Sequence, residues 1–192
     1  MILIIDNHSG NLNKIKSILK KYNQNYLVKE QSSLFKKSKN IKGIILTGGS
    51  LILDKKIMLS KIRADVSSII NYDVPILGIC LGHELIAELC GAEVVKLKTP
   101  IKDKEIEIKI LKRKAIFKDL PEKIVVWENH SRYLRAIPNS FNISATSGKS
   151  KTESLFHKTR PIFTVQFHPE ESHEMGEKII KNFLDIVKDF NS

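Results

Sequence analysis

Three short runs of this chain are apolar at nearly every position, and that constrains its fold more than any other feature. Met1–Ile5, Gly43–Leu46 and Pro75–Ile79 carry no polar side chain, so none of them has a face suited to water. Strands of this kind need cover on both sides, which a parallel sheet flanked by helices provides. The intervening segments supply helices. Leu12, Ile15, Ile18 and Leu19 share one helical face, which Tyr22 and Asn23 close, and Ile62, Val66, Ile69 and Ile70 repeat the pattern within Ile57–Ile70. Tyr26–Val28 is a further short strand, and a helix continues through Leu85–Cys90.

The second half of the chain changes character. Glu105–Ile110 alternates with period two, as a half-exposed antiparallel strand does. Ile124–Trp127, Phe141–Ala145, Ser154–Phe156 and Ile162–Phe167 are further strand candidates. Met175–Phe190 reads as a closing amphipathic helix with Ile179, Ile180, Phe183, Ile186 and Val187 inward. No linker or repeat divides the 192 residues, so one α/β domain over 1–192 is expected, a mixed, mainly parallel sheet with a small antiparallel sheet.

Composition excludes several classes. No apolar run approaches the ~20 residues of a membrane span, and the amino terminus reads as a first strand, not a signal peptide. Two cysteines make no disulfide framework, so a cytoplasmic setting is expected. The net charge of +11 raises nucleic acid as a partner. Yet the lysines are spread along the chain, and none of the few aromatics is interleaved with a basic run as a stacking platform requires. Solvated helix faces, or a basic face for an acidic protein partner, account for the charge.

The chemistry concentrates at two places. Gly78-Ile79-Cys80-Leu81-Gly82-His83-Glu84 ends a buried strand and opens a helix. A nucleophile on such a turn is held on a sharp bend with its side chain presented. The helix amino terminus is expected to lower the thiol pKa. Cys90, late in the helix, reads as a small packing residue. A thiolate needs a base, and the base needs an orienting carboxylate. Gln166-Phe167-His168-Pro169-Glu170 offers both just past a strand.

With Thr47-Gly48-Gly49, these segments resemble class I glutamine amidotransferases along essentially the whole chain. The resemblance implies a flavodoxin-like fold with Cys80 as nucleophile, forming a γ-glutamyl thioester. It implies His168 as general acid and base, Glu170 as its orienting carboxylate, and the N–H groups of Gly49 and Leu81 as the oxyanion hole. Gly48, Gly82 and Glu84 fall at substrate-binding positions, and no metal or cofactor is implied in this chain. Two residues depart from the pattern: Glu84 stands where Gln is usual, and Ser50 where Pro is common. A carboxylate cannot donate an amide N–H, so Glu84 either pairs with the substrate ammonium or weakens glutamine binding.

Within the family, Trp127-Glu128-Asn129-His130-Ser131, Pro138-Asn139-Ser140-Phe141 and the block from Phe167 through His173, Gly176, Asn182 and Phe183 resemble the glutaminase subunit of archaeal two-subunit GMP synthase. That implies glutamine as substrate and, as partner, an ATP pyrophosphatase subunit that carries ATP and Mg2+ and converts XMP to GMP. Arg132, Tyr133 and Arg135 stand where that subfamily has acidic residues. His130 is either a site-edge histidine or a packing residue. The glutaminase of an anthranilate or para-aminobenzoate synthase, a γ-glutamyl hydrolase and a non-catalytic regulatory relative are the alternatives.

Overall fold

The computed structural model describes residues 1–30, 38–49, 66 and 72–192. The helix expected over Ile57–Ile70 lies outside the described residues except for Val66, which is helical and fully buried. Ser50 lies outside them as well.

The described elements run β1 (Ile2–Asp6), α1 (Leu12–Lys21), β2 (Tyr26–Glu30), β3 (Gly43–Leu46), β4 (Ile76–Ile79), α2 (Leu81–Leu89), β5 (Glu93–Ile110), β6 (Lys123–Ala136), β7 (Phe141–Ser147), β8 (Ser154–His157), β9 (Ile162–Val165) and α3 (His173–Phe190). Two 3-10 turns, Ala115–Phe117 and Pro169–Glu171, precede β6 and α3. Among the described residues one sheet holds all nine strands in the order β2-β1-β3-β4-β9-β8-β7-β5-β6.

Its first five strands pair in parallel. Their apolar residues alternate between two cores. Ile2, Ile4, Leu77, Ile79 and Val165 face α1 and α3, where they meet Ile15, Leu19, Ile179 and Phe183. Leu3, Ile5, Ile44, Leu46 and Ile76 face the other side and meet Leu85 and Ile86 of α2. This is the two-sided burial that the polar-free runs demand.

The antiparallel half is not a separate sheet. β8 pairs with β9 through Ser154↔Val165 and Phe156↔Phe163, continuing the parallel half without a break. The far strand β6 then returns to the start of the site, where Trp127 bridges His168. β5 and β6 are longer than their sequence pattern predicts, at 18 and 14 residues. Register shifts on either side of Ile101 interrupt the alternation, and Pro100, which has no N–H, sits in that irregular stretch, where a missing ladder bond is tolerated.

Candidate active site

α2 starts directly where β4 stops, and Cys80 is the residue between them. Its backbone lies at φ 48° and ψ −102°, a conformation that L side chains rarely adopt. The surroundings over-determine that strain. The Cys80 N–H donates to the Val165 carbonyl at 2.8 Å, and the Cys80 carbonyl accepts from the Glu84 N–H at 3.1 Å. Behind it the glycines allow contact that a side chain would block. A Cβ at Gly82 would stand 2.5 Å from the Leu46 carbonyl oxygen, and one at Gly78 would stand 2.8 Å from the Gly82 carbonyl oxygen. Helix and strand therefore meet backbone to backbone.

His168 is carried on the chain leaving β9. Its N–H donates to the Trp127 carbonyl at 2.8 Å, and its own carbonyl accepts from the Ser172 hydroxyl at 2.6 Å. The Nδ1–H donates to Glu170 Oε1 at 2.9 Å, which orients the ring and fixes its tautomer. The imidazole is also hydrogen-bonded to Cys80. Thiol, imidazole and carboxylate thus form one connected row, all three buried.

Burial pushes the Cys80 thiol above its ordinary value, and the hydrogen bond and charge of His168 oppose it. The expected lowering by the α2 terminus does not prevail, because the site is too dry for a bare thiolate. At His168 burial acts downward, but bonds to Cys80 and Glu170, with their charges, outweigh it and push the pKa up to about 11. Any lowering of the thiol pKa at this site therefore comes from the paired imidazole and not from the helix terminus.

Thr47-Gly48-Gly49 passes beside this row. A Cβ at Gly48 would fall 2.7 Å from His168 Cε1 and 3.3 Å from Cys80 Cβ, and one at Gly49 would run into the Asn7 carbonyl. Asn7 clamps the turn from β1: its N–H donates to Thr47 Oγ1 at 2.9 Å and its side-chain amide to the Thr47 carbonyl at 2.5 Å.

These elements open onto a cleft of about 920 Å3 whose walls include Gly49, Cys80, Leu81, Glu84, His130 and His168. Of the other two expected substrate-binding positions, Gly48 passes against His168 and Cys80, and Gly82 packs on Leu46. Glu84 is buried in the wall and accepts from the Gln166 amide at 3.4 Å, and the same amide reaches Cys80 Sγ at 4.0 Å. Burial raises the Glu84 pKa, with Gln166, His130 and Arg132 opposing.

Ser172 carries no sequence signal, and Asn7, Thr47 and Gln166 belong to turns or motifs from which the partners of their side chains could not be read. The sequence signal for Asn7 was its place after the first strand, and for Gln166 its place before Phe167-His168. The histidine left open, His130, lines the cleft. Among the described residues no group of His, Cys, Asp and Glu is arranged to hold a metal. No described helix is long and apolar enough to cross a membrane.

Comparison with known proteins identifies the family. Residues 3–187 fit the model of the family described as Glutamine amidotransferase class-I. The chain is 35% identical over 190 residues to the glutamine-hydrolyzing GMP synthase subunit of Methanocaldococcus jannaschii, covering 97% of each. It is likewise 35% identical to the same-named protein of Methanosphaera stadtmanae, covering 99% of this chain and 100% of the relative. A crystal structure from Thermoplasma acidophilum, ascribed to a GMP synthase subunit, superposes with TM-score 0.90 at 31% identity over 99% of this chain and 94% of that one. A glutamine amidotransferase of Thermotoga maritima shares the fold alone, with TM-score 0.77 at 20% identity over 98% and 84%.

Proposed function

Because the chain belongs to the class I glutamine amidotransferases, we propose that it is the glutaminase subunit of a two-subunit GMP synthase, passing ammonia to an ATP pyrophosphatase partner. The observation that carries the chemistry is Cys80 held at positive φ on the cleft wall and hydrogen-bonded to a Glu170-oriented His168. Near full-length likeness to proteins named as the glutamine-hydrolyzing component of GMP synthase supports the choice of partner.

In this reading the Cys80 thiolate attacks the side-chain amide carbon of glutamine. The oxyanion faces the N–H groups of Gly49 and Leu81, both in the cleft wall. The Leu81 N–H, in the first turn of α2, has no intrahelical acceptor. The His168 imidazolium gives its proton to the leaving nitrogen, ammonia departs, and a γ-glutamyl thioester remains. His168 then takes a proton from water, the hydroxide adds to the thioester, and glutamate leaves as the Cys80 thiolate returns beside the protonated imidazole. Only protein groups act in these steps. ATP and Mg2+ belong to the partner, where they activate XMP.

The test is GMP formation from XMP and ATP with this chain and the cognate pyrophosphatase. Glutamine is expected to support it, and Cys80→Ala to abolish the glutamine-dependent but not the ammonium-dependent reaction. A pyrophosphatase active with ammonium and silent with glutamine plus this chain sinks the assignment. Glu84 motivates one added comparison, of glutamine with γ-glutamyl amides as substrates for the free chain.

A further inference from the structure

We propose that Glu128 and Glu153 share one proton in the interior and, through Glu128, fix His130 as a positioning residue on the wall of the glutamine cleft. The positioning role rests on the glutaminase reading of that cleft; the shared proton does not.

Neither carboxyl group is exposed to solvent. Each has one oxygen engaged: Glu128 Oε2 lies 3.2 Å from His130 Nε2, and Glu153 Oε1 accepts from the Ser147 hydroxyl at 2.7 Å. The remaining oxygens, Glu128 Oε1 and Glu153 Oε2, are buried and have no donor among the described residues. The two side chains are themselves within hydrogen-bonding contact. Two bare carboxylates cannot rest against each other in a dry interior, and one proton between them gives both oxygens a partner. A single negative charge then remains on the pair, beside the His130 ring.

That ring has a polar partner at both ends. Nδ1 lies 2.6 Å from the Arg132 carbonyl oxygen, which can only accept, so Nδ1 bears hydrogen, and a second hydrogen between Nε2 and Glu128 Oε2 completes the contact on the other side. Holding residues 128 and 130 inward sets the strand between them, and the Asn129 carbonyl there lies 3.9 Å from Cys80 Sγ. Glu128 therefore places the β6 wall of the cleft relative to the nucleophile. The other charged or titratable groups bearing on His130 and the pair are Arg132 on β6 and His83 and Glu84 on α2. His83 stays neutral, its pKa lowered to about 3 by burial and then by His130.

The test uses two isosteric variants of the full chain. Glu153→Gln supplies a permanent N–H in place of the shared proton, and Glu128→Gln removes the charge that holds His130. Burial first, and then the Glu128 charge, raise the Glu153 pKa from 4.5 to about 8. Its contribution to stability is therefore complete below pH 4.5 and lost as pH rises through about 8. Wild-type thermal stability is expected to fall between about pH 5 and 9, with most of that fall absent in Glu153→Gln. A protonated-carboxyl stretch in the infrared spectrum, recorded between those two pKa values, should disappear in the same variant. Glu128→Gln is expected to raise the KM for glutamine by roughly tenfold while kcat changes less than about threefold, and Glu153→Gln should keep both near wild type at neutral pH. An unchanged stability slope, or an infrared band that persists in Glu153→Gln, overturns the shared proton. An unchanged KM in Glu128→Gln overturns the positioning role. A wild-type chain that neither turns over glutamine nor is labelled at Cys80 by a glutamine-mimicking electrophile overturns the glutaminase reading and that role with it, leaving the stability slope and the infrared band to decide the proton.

Discussion

The competition that decides reactivity takes place at Cys80. A helix amino terminus favours the thiolate, and burial disfavours it by more. Activation therefore depends on the imidazolium opposite, not on the helix. His168→Gln is expected to slow modification of Cys80 by iodoacetamide at neutral pH by at least about tenfold. It should also move the midpoint of the pH profile to higher pH than in the wild-type chain, because the groups that oppose burial at Cys80 are then gone. A variant whose profile matches wild type would disprove the pairing. The Asn7 clamp is a second residue-scale device, since it fixes the turn bearing the Gly49 N–H. Asn7→Ala leaves the Thr47 carbonyl short of a donor in a buried turn, a loss of about 1–3 kcal/mol. A drop in kcat larger than any rise in KM is expected, read from steady-state glutamine hydrolysis.

At the scale of elements, close seating of helix on strand places the nucleophile. α2 rests on β3 because Gly82 lets its first turn touch the Leu46 carbonyl. Gly82→Ala drives a methyl group into backbone, which overpacking data put at about 1–3 kcal/mol. At roughly 2–4 °C per kcal/mol for a domain of this size, a fall in Tm of about 5 °C is expected by calorimetry, together with loss of glutaminase activity. α3 is seated the same way at its start, where a Cβ at Gly176 would meet the Pro169 carbonyl. Farther along, the buried Asn182 amide donates to the Ile116 and Lys118 carbonyls at 3.0 and 2.8 Å. Gly176 and Asn182 thus anchor the helix that follows the His168–Glu170 turn. Both stand in the carboxy-terminal block of the sequence resemblance, and here their work is mechanical.

At the scale of the whole molecule, excess positive charge and a continuous sheet are the two features that matter. Exposed pairs such as Lys109–Glu122 at 3.0 Å, Lys123–Glu107 at 2.8 Å and Arg135–Glu93 at 2.6 Å stand in solvent that screens them, so they add little to stability. With a net charge of +11, screening relieves more repulsion than it removes attraction. Tm is expected to hold or rise by a few degrees as salt goes from about 0.05 to 0.5 M; a fall beyond ~5 °C would show that the ion pairs dominate. The sheet is where sequence reading stopped. Polar-free runs, the helical period and the glycine-flanked Cys80 and His168-Pro169-Glu170 were legible because each is a local signal, set by residues a few positions apart. They determined the class of fold and pointed to Cys80, His168 and Glu170, which the structure brings together, but not to β9 as the fifth parallel strand. The strand lengths of β5 and β6 were not legible, because a bulge erases the alternation from which a strand is read. Nor were the Asn7–Thr47 clamp, the bond from Gln166 to Glu84 or the contact between Glu128 and Glu153, whose partners lie 40, 82 and 25 residues apart. A buried polar group takes whichever partner the packed chain brings to it. Only the tertiary structure, by turning β6 back onto His168, decided what stands around the nucleophile.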